Sequence, residues 1–277
     1  MLIYKNTFEN VKTLNCDFPI EDQFYASDFE AIIADGITRD PVGVLNFTEH
    51  KLSDMVKLYP RPSGAELAAK AICDSFSKTS GTLKDRLILC NKSVKTLNDK
   101  YIKECDYLQN DYYAAVAACV RINENILEYA YICDSGVIVY DKLGNIKFQT
   151  QDDKAAISQP YINSIGISWY LPEARVKVRR DFRNNLNNIQ DGKCVSFGAL
   201  TGEEAASEFI KSGQLAIESD DLVLVYSDGF ANFLHEEDFI EQILNFNEED
   251  FEKYVLEKAK ANYDKYGSEK TIVLLKK

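Results

Sequence analysis

The sequence predicts an α+β fold with mainly antiparallel sheets, and two patterns support that class. Short apolar runs rich in β-branched residues and bounded by turn dipeptides are typical of buried strands. Such runs cover residues 22–26, 29–34, 113–120, 126–132, 137–140, 146–148, 195–197, 216–217, 222–226 and 271–275. Helical apolar spacing covers residues 66–77, 83–101, 203–211, 237–246 and 249–262. The helices fall in groups between clusters of strands, which favours α+β over a strict strand–helix alternation.

The clearest helix start follows the breaker cluster Pro60-Arg61-Pro62. Ser63 is a natural N-cap, and Glu66 three residues later completes a capping box. We expect this helix to end near Ser77 and a second long helix to follow Thr82. Residues 141–145 predict a hairpin turn between two strands, whereas the polar stretch 150–193 predicts irregular structure.

Composition bounds the class of protein. The 277 residues contain no linker-like stretch, no internal repeat and no run of about 18 apolar residues, so we expect one domain and no membrane span. The N-terminal residues are too polar for a secretory signal, which predicts a cytoplasmic location. Acidic residues outnumber basic ones by 44 to 32, for a net charge of −12. This charge argues against nucleic-acid or anionic-membrane partners.

Cysteine and histidine usage narrows the choice of metal. The seven cysteines, Cys16, Cys73, Cys90, Cys105, Cys119, Cys133 and Cys194, are odd in number and form no C-x-x-C pair. We interpret them as buried free thiols in a reducing compartment. Because His50 and His235 are the only histidines, a His-rich zinc site is excluded. Any metal is expected to be hard and oxygen-ligated, meaning Mg²⁺ or Mn²⁺.

Two apolar runs each end in Asp-Gly, at Asp35-Gly36 and at Asp228-Gly229. An Asp at the end of a buried strand lies where the backbone leaves the sheet, and the Gly permits a sharp turn and leaves its carbonyl open to a ligand. Taken singly, each Asp-Gly is first of all a turn dipeptide. Taken together, they can place two carboxylates over one divalent cation.

Further acids mark other strand ends. Glu21-Asp22 precedes the first strand of the opening hairpin, and Asp134 follows the apolar run 126–132. Strand ends at one sheet edge converge in space, so we expect these carboxylates to meet. Two hard dications held there can activate a water for in-line attack on phosphorus, without a Cys or Ser nucleophile.

The order and spacing of these motifs resemble the metal-dependent (type 2C) serine/threonine protein phosphatase family. Glu21-Asp22 is similar to its E-D motif, Ala34-Asp35-Gly36 to its A-D-G, Cys133-Asp134-Ser135-Gly136 to its G-D-S-R, and Ser227-Asp228-Gly229 to its S-D-G. Residues 198–205 followed by 220–222 are also similar to bacterial members. The resemblance runs from about residue 15 to the C-terminus and covers nearly the whole chain.

The resemblance implies a single phosphatase-like domain over residues 1–277, built as a four-layer α-β-β-α sandwich with two central sheets. It implies hydrolysis of phosphoserine and phosphothreonine in proteins by a water activated between two divalent cations, Mn²⁺ or Mg²⁺. Asp35 would bridge both metals, the Gly36 carbonyl would bind one, and Asp228 would be a ligand. Glu21 and Asp22 would support the metals' water, with Glu21 also a candidate ligand. Asp134 would help to hold a third, weaker metal.

Three departures from the family pattern leave alternatives open. The ligand of the family's last motif aligns with Ser268, a poor ligand, unless Glu269 substitutes after a one-residue shift. Arg39 follows Asp35-Gly36 in place of a Gly-rich turn and is a candidate phosphate ligand, with an exposed charged turn as the alternative. Gly136 takes the place of the Arg in G-D-S-R.

The basic stretch 175–183 adds a further choice between two interpretations. It could hold a phosphopeptide through guanidinium–phosphate pairs, but a solvated face is the preferred interpretation. Two rival functions also remain. The chain could be a pseudophosphatase, a phosphoprotein-binding or regulatory module with a depleted metal site, or a hydrolase of small phosphate esters.

Overall fold

The computed structural model describes residues 1–11 and 18–277. Its strands are β1 (Leu2–Phe8), β2 (Gln23–Ala26), β3 (Glu30–Gly36), β4 (Ala115–Asn123), β5 (Ile126–Ile132), β6 (Gly136–Tyr140), β7 (Ile146–Gln149), β8 (Ile189–Gln190), β9 (Lys193–Cys194), β10 (Lys211–Ala216), β11 (Leu222–Tyr226) and β12 (Lys270–Lys276). Its α-helices are α1 (Leu52–Val56), α2 (Gly64–Phe76), α3 (Leu83–Tyr101), α4 (Gln159–Ser164), α5 (Pro172–Asp181), α6 (Glu237–Leu244), α7 (Glu248–Ala261) and α8 (Tyr263–Tyr266).

Two five-stranded antiparallel sheets form the centre of the molecule. One has the order β1-β12-β11-β6-β7 and the other β10-β5-β4-β3-β2, while β8 and β9 form a small ribbon. The chain passes from one sheet to the other between β5 and β6, across Cys133-Asp134-Ser135. The predicted turn at residues 141–145 joins β6 to β7. This confirms the predicted α+β class with its two antiparallel sheets.

Alternation along each strand sorts the side chains into layers. In β3, Ile32 and Ala34 pack toward the side covered by α2 and α3, whereas Ala31 and Ile33 face the other sheet. In β11, Val223 and Val225 face the opposite sheet, and alternate residues pack against α6 and α7. Because successive side chains of a strand point to opposite faces, each sheet is buried on both sides. The result is the predicted order of helices, sheet, sheet and helices.

The helix signals on the N-terminal side are confirmed. Ser63 caps α2 by accepting from the backbone N–H of Glu66, and the Glu66 carboxylate bonds back to the backbone N–H of Ser63. Thr82 caps α3 by accepting from the backbone N–H of Asp85, and its hydroxyl donates to the Asp85 carboxylate. Each cap satisfies a backbone donor that the first helical turn leaves open.

The structure corrects three sequence-based expectations. Residues 150–193 are not irregular: they contain a π-helical turn at Lys154–Ser158, then α4 and α5. The segment 203–211 is a short 3₁₀ turn followed by β10, which pairs with β5, rather than a helix. Residues 195–197 lie outside the named strands and are held by backbone bonds to residues 182 and 188. In the last two cases, hydrogen bonding to other segments of the chain overrides the local pattern.

The basic stretch 175–183 is not irregular, and only part of it is solvated. It begins on α5 and ends two residues beyond that helix, with Arg180 exposed, Lys177 half-buried, and Arg175, Arg179 and Arg183, spaced four residues apart, buried. Asp40 accepts from Arg175 at 2.8 Å and from Arg179 at 2.7 Å. Asp111 accepts from Arg183 at 2.6 and 2.9 Å, with Arg179 3.5 Å away. We call this alternating series the arginine ladder.

The cysteines of the described ranges are free thiols. Cys73, Cys90, Cys119 and Cys133 are buried free thiols, and Cys105 and Cys194 are half-buried free thiols. The prediction for Cys16 lies outside the described residues. None of the helices in the described ranges combines the length and apolar character needed to cross a membrane.

Candidate metal centre

Acidic strand ends from both sheets meet in one cavity of about 870 Å³. Asp35 lies at the end of β3 and Asp228 directly follows β11, so the two carboxylates come from different sheets. The acids that line this cavity are Glu21, Asp22, Asp35, Asp134, Asp228 and Glu269. All six were selected from the sequence, and the described structure brings them to the same cavity. We call this side of the cavity the acidic wall.

The two glycines after the aspartates serve close packing rather than a reversed turn. A Cβ on Gly36 would lie 2.6 Å from the Glu21 carbonyl oxygen, and one on Gly229 would lie 2.0 Å from the Glu269 carbonyl oxygen. Neither glycine has a positive φ. Each Asp-Gly therefore lets its strand end pack directly against the backbone that carries another acid of the site.

Ser227 and Glu269 tie these backbones together. The Ser227 hydroxyl donates to Asp22 Oδ2 at 2.7 Å and accepts from the Thr271 backbone N–H at 2.8 Å. Glu269 Oε1 accepts from the backbone N–H groups of Glu21 and Asp22 at 2.8 and 2.6 Å. Glu269 thus bridges the two sheets through its carboxylate, whereas neighbouring Ser268 is exposed and still lines the cavity.

Glu21 is held by hydroxyl groups from two other segments. Ser63 and Thr38 both donate to its carboxylate. Ser63 therefore has two tasks, because it also caps α2. Burial raises the pKa of Glu21 to about 7, although the two hydroxyl donors act in the opposite direction.

Asp35 and Asp228 have no ion-pair partner among the described residues, whereas neighbouring Asp134 is paired with Lys154. Burial raises the pKa of Asp35 well above its usual range, and the nearby carboxylates of Asp22 and Asp228 raise it further. Burial and the Asp134 carboxylate raise the pKa of Asp228 to about 7. Burial likewise raises the pKa of Glu269 to about 8. Uncompensated negative charge of this kind favours a bound proton or a bound cation.

The donor set fits a hard divalent cation in its chemistry. It consists of carboxylate oxygens with backbone carbonyls nearby, which are the ligands that Mg²⁺ and Mn²⁺ prefer. Within residues 1–11 and 18–277, no three His, Cys, Asp or Glu side chains are grouped closely enough to form a ready-made metal site. Glu21, Asp22 and Glu269 are hydrogen-bonded to protein groups, so binding of a cation would draw first on Asp35 and Asp228.

Of two basic residues near the site, the one selected from the sequence does not line the cavity and the other does. Arg39 is not among the residues that line the cavity. Its guanidinium lies 4.7 Å from the Tyr113 ring centroid and donates to the Gln109 carbonyl oxygen at 3.1 Å. Lys154, which the sequence analysis did not select, does line the cavity, and its Nζ lies 3.2 Å from Asp134 Oδ2. Its only sequence signal was a position among polar residues.

The opposite side of the cavity is formed by helices and is largely apolar. Ile162, Ile165, Ile167 and Trp169 line it, and Ile167 and Trp169 are 43% and 47% exposed. Behind them the arginine ladder fixes α5, and Arg179 and Arg183 reach the cavity surface. We call this side the helical wall, and it is built from the region that the sequence predicted to be irregular.

No protein-family model and no curated protein sequence matches this chain. Solved structures do match. The serine/threonine phosphatase PstP/Ppp of Mycobacterium tuberculosis superposes with a TM-score of 0.58 at 15% identity, covering 99% of this chain and 98% of that chain. The catalytic domain of PstP in complex with two manganese ions gives 0.57 at 16% identity, covering 98% and 95%.

A third match comes from another bacterium. The S. agalactiae serine/threonine phosphatase superposes with a TM-score of 0.55 at 17% identity, covering 99% of this chain and 98% of that chain. Identities this low establish the architecture and leave the chemistry to be argued from the site. The chain has the fold of the metal-dependent (type 2C) serine/threonine protein phosphatases.

Proposed function

We propose that this protein hydrolyses phosphoserine and phosphothreonine in proteins with the help of two divalent cations, Mn²⁺ or Mg²⁺. The observation that carries the proposal is the pair Asp35 and Asp228. They end strands of different sheets, line one cavity and have no ion-pair partner in the described part of the chain. The pKa values of both groups are raised, which indicates that their negative charge is disfavoured unless a proton or cation is bound. A similar fold binds two manganese ions in PstP.

The ligands would come from the acidic wall. Asp35, the Gly36 carbonyl, Asp228 and Glu269 would hold the two ions. Bound there, the ions would lower the pKa of water and neutralise charge on the phosphoryl group. Glu269 would bind an ion through Oε2, since its Oε1 accepts both backbone hydrogen bonds.

The protein groups around the ions would handle protons and orientation. Glu21 and Asp22 would accept hydrogen bonds from the attacking water, because both line the cavity and are fixed by hydroxyl donors. A carboxylate with a pKa of about 7, such as Glu21, can hold or release a proton near neutral pH. Ser63, Thr38 and Ser227 are positioning residues for these two acids.

The helical wall supports a protein substrate. The cavity of about 870 Å³ is much larger than a phosphoryl group, and its far side is apolar. Ile162, Ile165, Ile167 and Trp169 would contact the peptide beside the phosphorylated residue. A small sugar phosphate or nucleotide would leave this apolar surface uncovered.

The test compares Asp35→Asn and Asp228→Asn with Asp99→Asn, a control on the exposed face of α3 where Asp99 is 64% exposed. We expect each of the first two to lower Mn²⁺-dependent turnover of a phosphothreonine peptide and of para-nitrophenyl phosphate by about 100-fold or more. Asp99→Asn should leave turnover unchanged. Wild-type turnover in Asp35→Asn at saturating Mn²⁺ would refute the proposal.

Two other outcomes would support the rival functions. If the wild-type protein binds phosphopeptide but releases no phosphate at millimolar Mn²⁺, it is a binding module with a depleted metal site. If it hydrolyses nucleotides or sugar phosphates faster than phosphopeptides, it is a small-ester hydrolase.

A further inference from the structure

Lys154 lies at the edge of the acidic wall where the chain crosses between the sheets. Its Nζ is 3.2 Å from Asp134 Oδ2, and both residues line the cavity. Asp134 is almost buried, with 11% of its side chain exposed, whereas 43% of the Lys154 side chain is exposed. Among the described residues that line this cavity, Lys154 is the one lysine. The ammonium therefore joins a buried carboxylate to the open volume of the site.

The backbone around Lys154 is fixed to the backbone around Asp134. The backbone N–H of Asp153 donates to the Cys133 carbonyl oxygen at 3.2 Å. The Asp153 carboxylate accepts from Lys211 at 2.6 Å and from Gln151 at 3.1 Å. The π-helical turn then begins at Lys154 itself. π-Turns are rare and are frequent at functional sites.

Lys154 faces two carboxylates of the acidic wall. Its ammonium lies 3.2 Å from Asp134 Oδ2, and Asp228 lines the same cavity. Within the described part of the chain, Asp134 is the hydrogen-bond acceptor that the structure gives to this ammonium. An ammonium has three N–H donors, so Asp134 does not use up its capacity to bind an anion.

We propose that Lys154 is a built-in cation of this site, with two consequences. Its ammonium engages Asp134, so that Asp134 does not hold an additional divalent ion, and its other donors bind the phosphoryl group of substrate and product. This proposal rests on the proposed function and deepens it. It assigns to Lys154 the phosphate contact that the sequence suggested for Arg39.

The first test counts bound ions and does not depend on turnover. Mn²⁺ is titrated by calorimetry and by electron paramagnetic resonance into the wild type, Lys154→Met and Lys154→Met/Asp134→Asn. We expect Lys154→Met to bind one more, weakly held ion than the wild type, because Asp134 is then free to ligate. The double variant should return to the wild-type count.

The matched control is Lys211→Met. Lys211 makes an ion pair of similar exposure with Asp153, one residue before Lys154, but does not line the cavity. This variant should keep the wild-type ion count. A thermal melt of each variant confirms that the protein remains folded.

The second test measures inorganic phosphate binding by calorimetry at saturating Mn²⁺. Lys154→Met should weaken phosphate binding by about tenfold or more, and Lys154→Arg should retain most of it. Equal ion counts in the wild type and Lys154→Met, or unchanged phosphate affinity, would overturn the proposal. Failure of the proposed function is separate: it is the absence of phosphopeptide hydrolysis in the wild type, whatever the Lys154 variants do.

Discussion

On the helical wall, buried charges alternate in sign: Asp40 lies between Arg175 and Arg179, and Asp111 binds Arg183. On the acidic wall, buried carboxylates face one another. These two surroundings shift the pKa values of buried carboxyl groups in opposite directions. Burial acts to raise the pKa of Asp111, but the Arg183 guanidinium outweighs it and holds the pKa below its usual range. Burial raises the pKa of Asp35 as well, and there the neighbours are carboxylates, which raise it further.

This contrast separates two uses of buried charge. The ladder is satisfied within the chain and holds α5 to the segments around residues 40 and 111. The negative charge of the carboxylates on the acidic wall is balanced only when protons or cations bind. The first arrangement stabilises the protein as it stands, and the second reserves a place for a ligand. Mutations should therefore change stability in opposite directions on the two walls.

The largest expected change in stability is on the helical wall. Asp111→Asn leaves Arg183 without its charge partner, which should lower the free energy of unfolding by about 3–5 kcal/mol. Denaturant unfolding measures this loss. The control is Asp99→Asn, which removes an exposed ion pair with Lys95 and should cost less than about 1 kcal/mol. Equal effects of the two substitutions would show that the ladder is not structural.

On the acidic wall the same kind of substitution should not destabilise. Asp35→Asn, without divalent ions at pH 7, removes a carboxyl group whose charged form is disfavoured by burial and by its neighbours. Its melting temperature should equal or exceed that of the wild type. A clear decrease would contradict the view that this wall carries uncompensated charge.

The third prediction concerns the pH dependence of stability. Glu21, Asp228 and Glu269 have pKa values raised to about 7, 7 and 8, so the folded protein binds protons that the unfolded chain has released. Their contribution to the free energy of unfolding is fully present below the pKa values that these groups have in the unfolded chain. It is lost as the pH rises toward 8. Metal-free stability should fall from pH 5 to 8, by about 1.4 kcal/mol per pH unit for each proton involved.

Divalent ions and substitutions in the acidic wall should change this dependence of stability on pH. Saturating Mn²⁺ should flatten or reverse this slope, because metal binds the deprotonated carboxylates. Asp228→Asn should flatten it in the absence of metal. The contribution of Asp111 to stability depends on pH in the opposite direction. Because its pKa is lowered in the folded protein, this contribution is lost only as the pH falls into the acid range. A metal-free stability that rises from pH 5 to 8 would contradict the assignment.

The smallest expected effect concerns substrate choice at the helical wall. Trp169→Ala removes exposed apolar surface beside the cavity. It should lower kcat/KM for a phosphothreonine peptide by about fivefold, or ~1 kcal/mol, and leave para-nitrophenyl phosphate turnover unchanged. Tyr263→Ala, at another exposed aromatic, is the control. Equal loss on both substrates would show that Trp169 does not contact the peptide.

The two walls also differ in how well the sequence predicted them. Asp35 and Asp228 could be selected because a strand end and a turn dipeptide are local signals, and the capping box at Ser63 is local as well. The ladder could not be predicted. Its helix buries arginines, so it has no apolar periodicity, and its partners Asp40 and Asp111 lie 135 and 72 positions away in sequence from Arg175 and Arg183.

Other failures have the same physical origin. β1 was missed because Leu2–Phe8 shows no apolar alternation, with Lys5, Asn6 and Thr7 polar in succession, and it becomes a strand by pairing with β12 at the sheet edge. The helix predicted over 203–211 is a 3₁₀ turn, and the strand predicted at 216–217 is replaced by β10, which begins at Lys211 because its extent is set by pairing with β5. Ser227 was quoted only as part of a motif, and its role as a link between Asp22 and Thr271 depends on the pairing of distant segments.

The most direct test of the account is a Mn²⁺ titration by calorimetry of the wild type and of Asp35→Asn/Asp228→Asn, with thermal melts at each end point. We predict that the wild type binds two ions and gains thermal stability, whereas the double variant binds neither and melts at the same temperature with and without Mn²⁺. Absence of Mn²⁺ binding to the wild type at millimolar concentration, or the same binding in the double variant, would contradict the account.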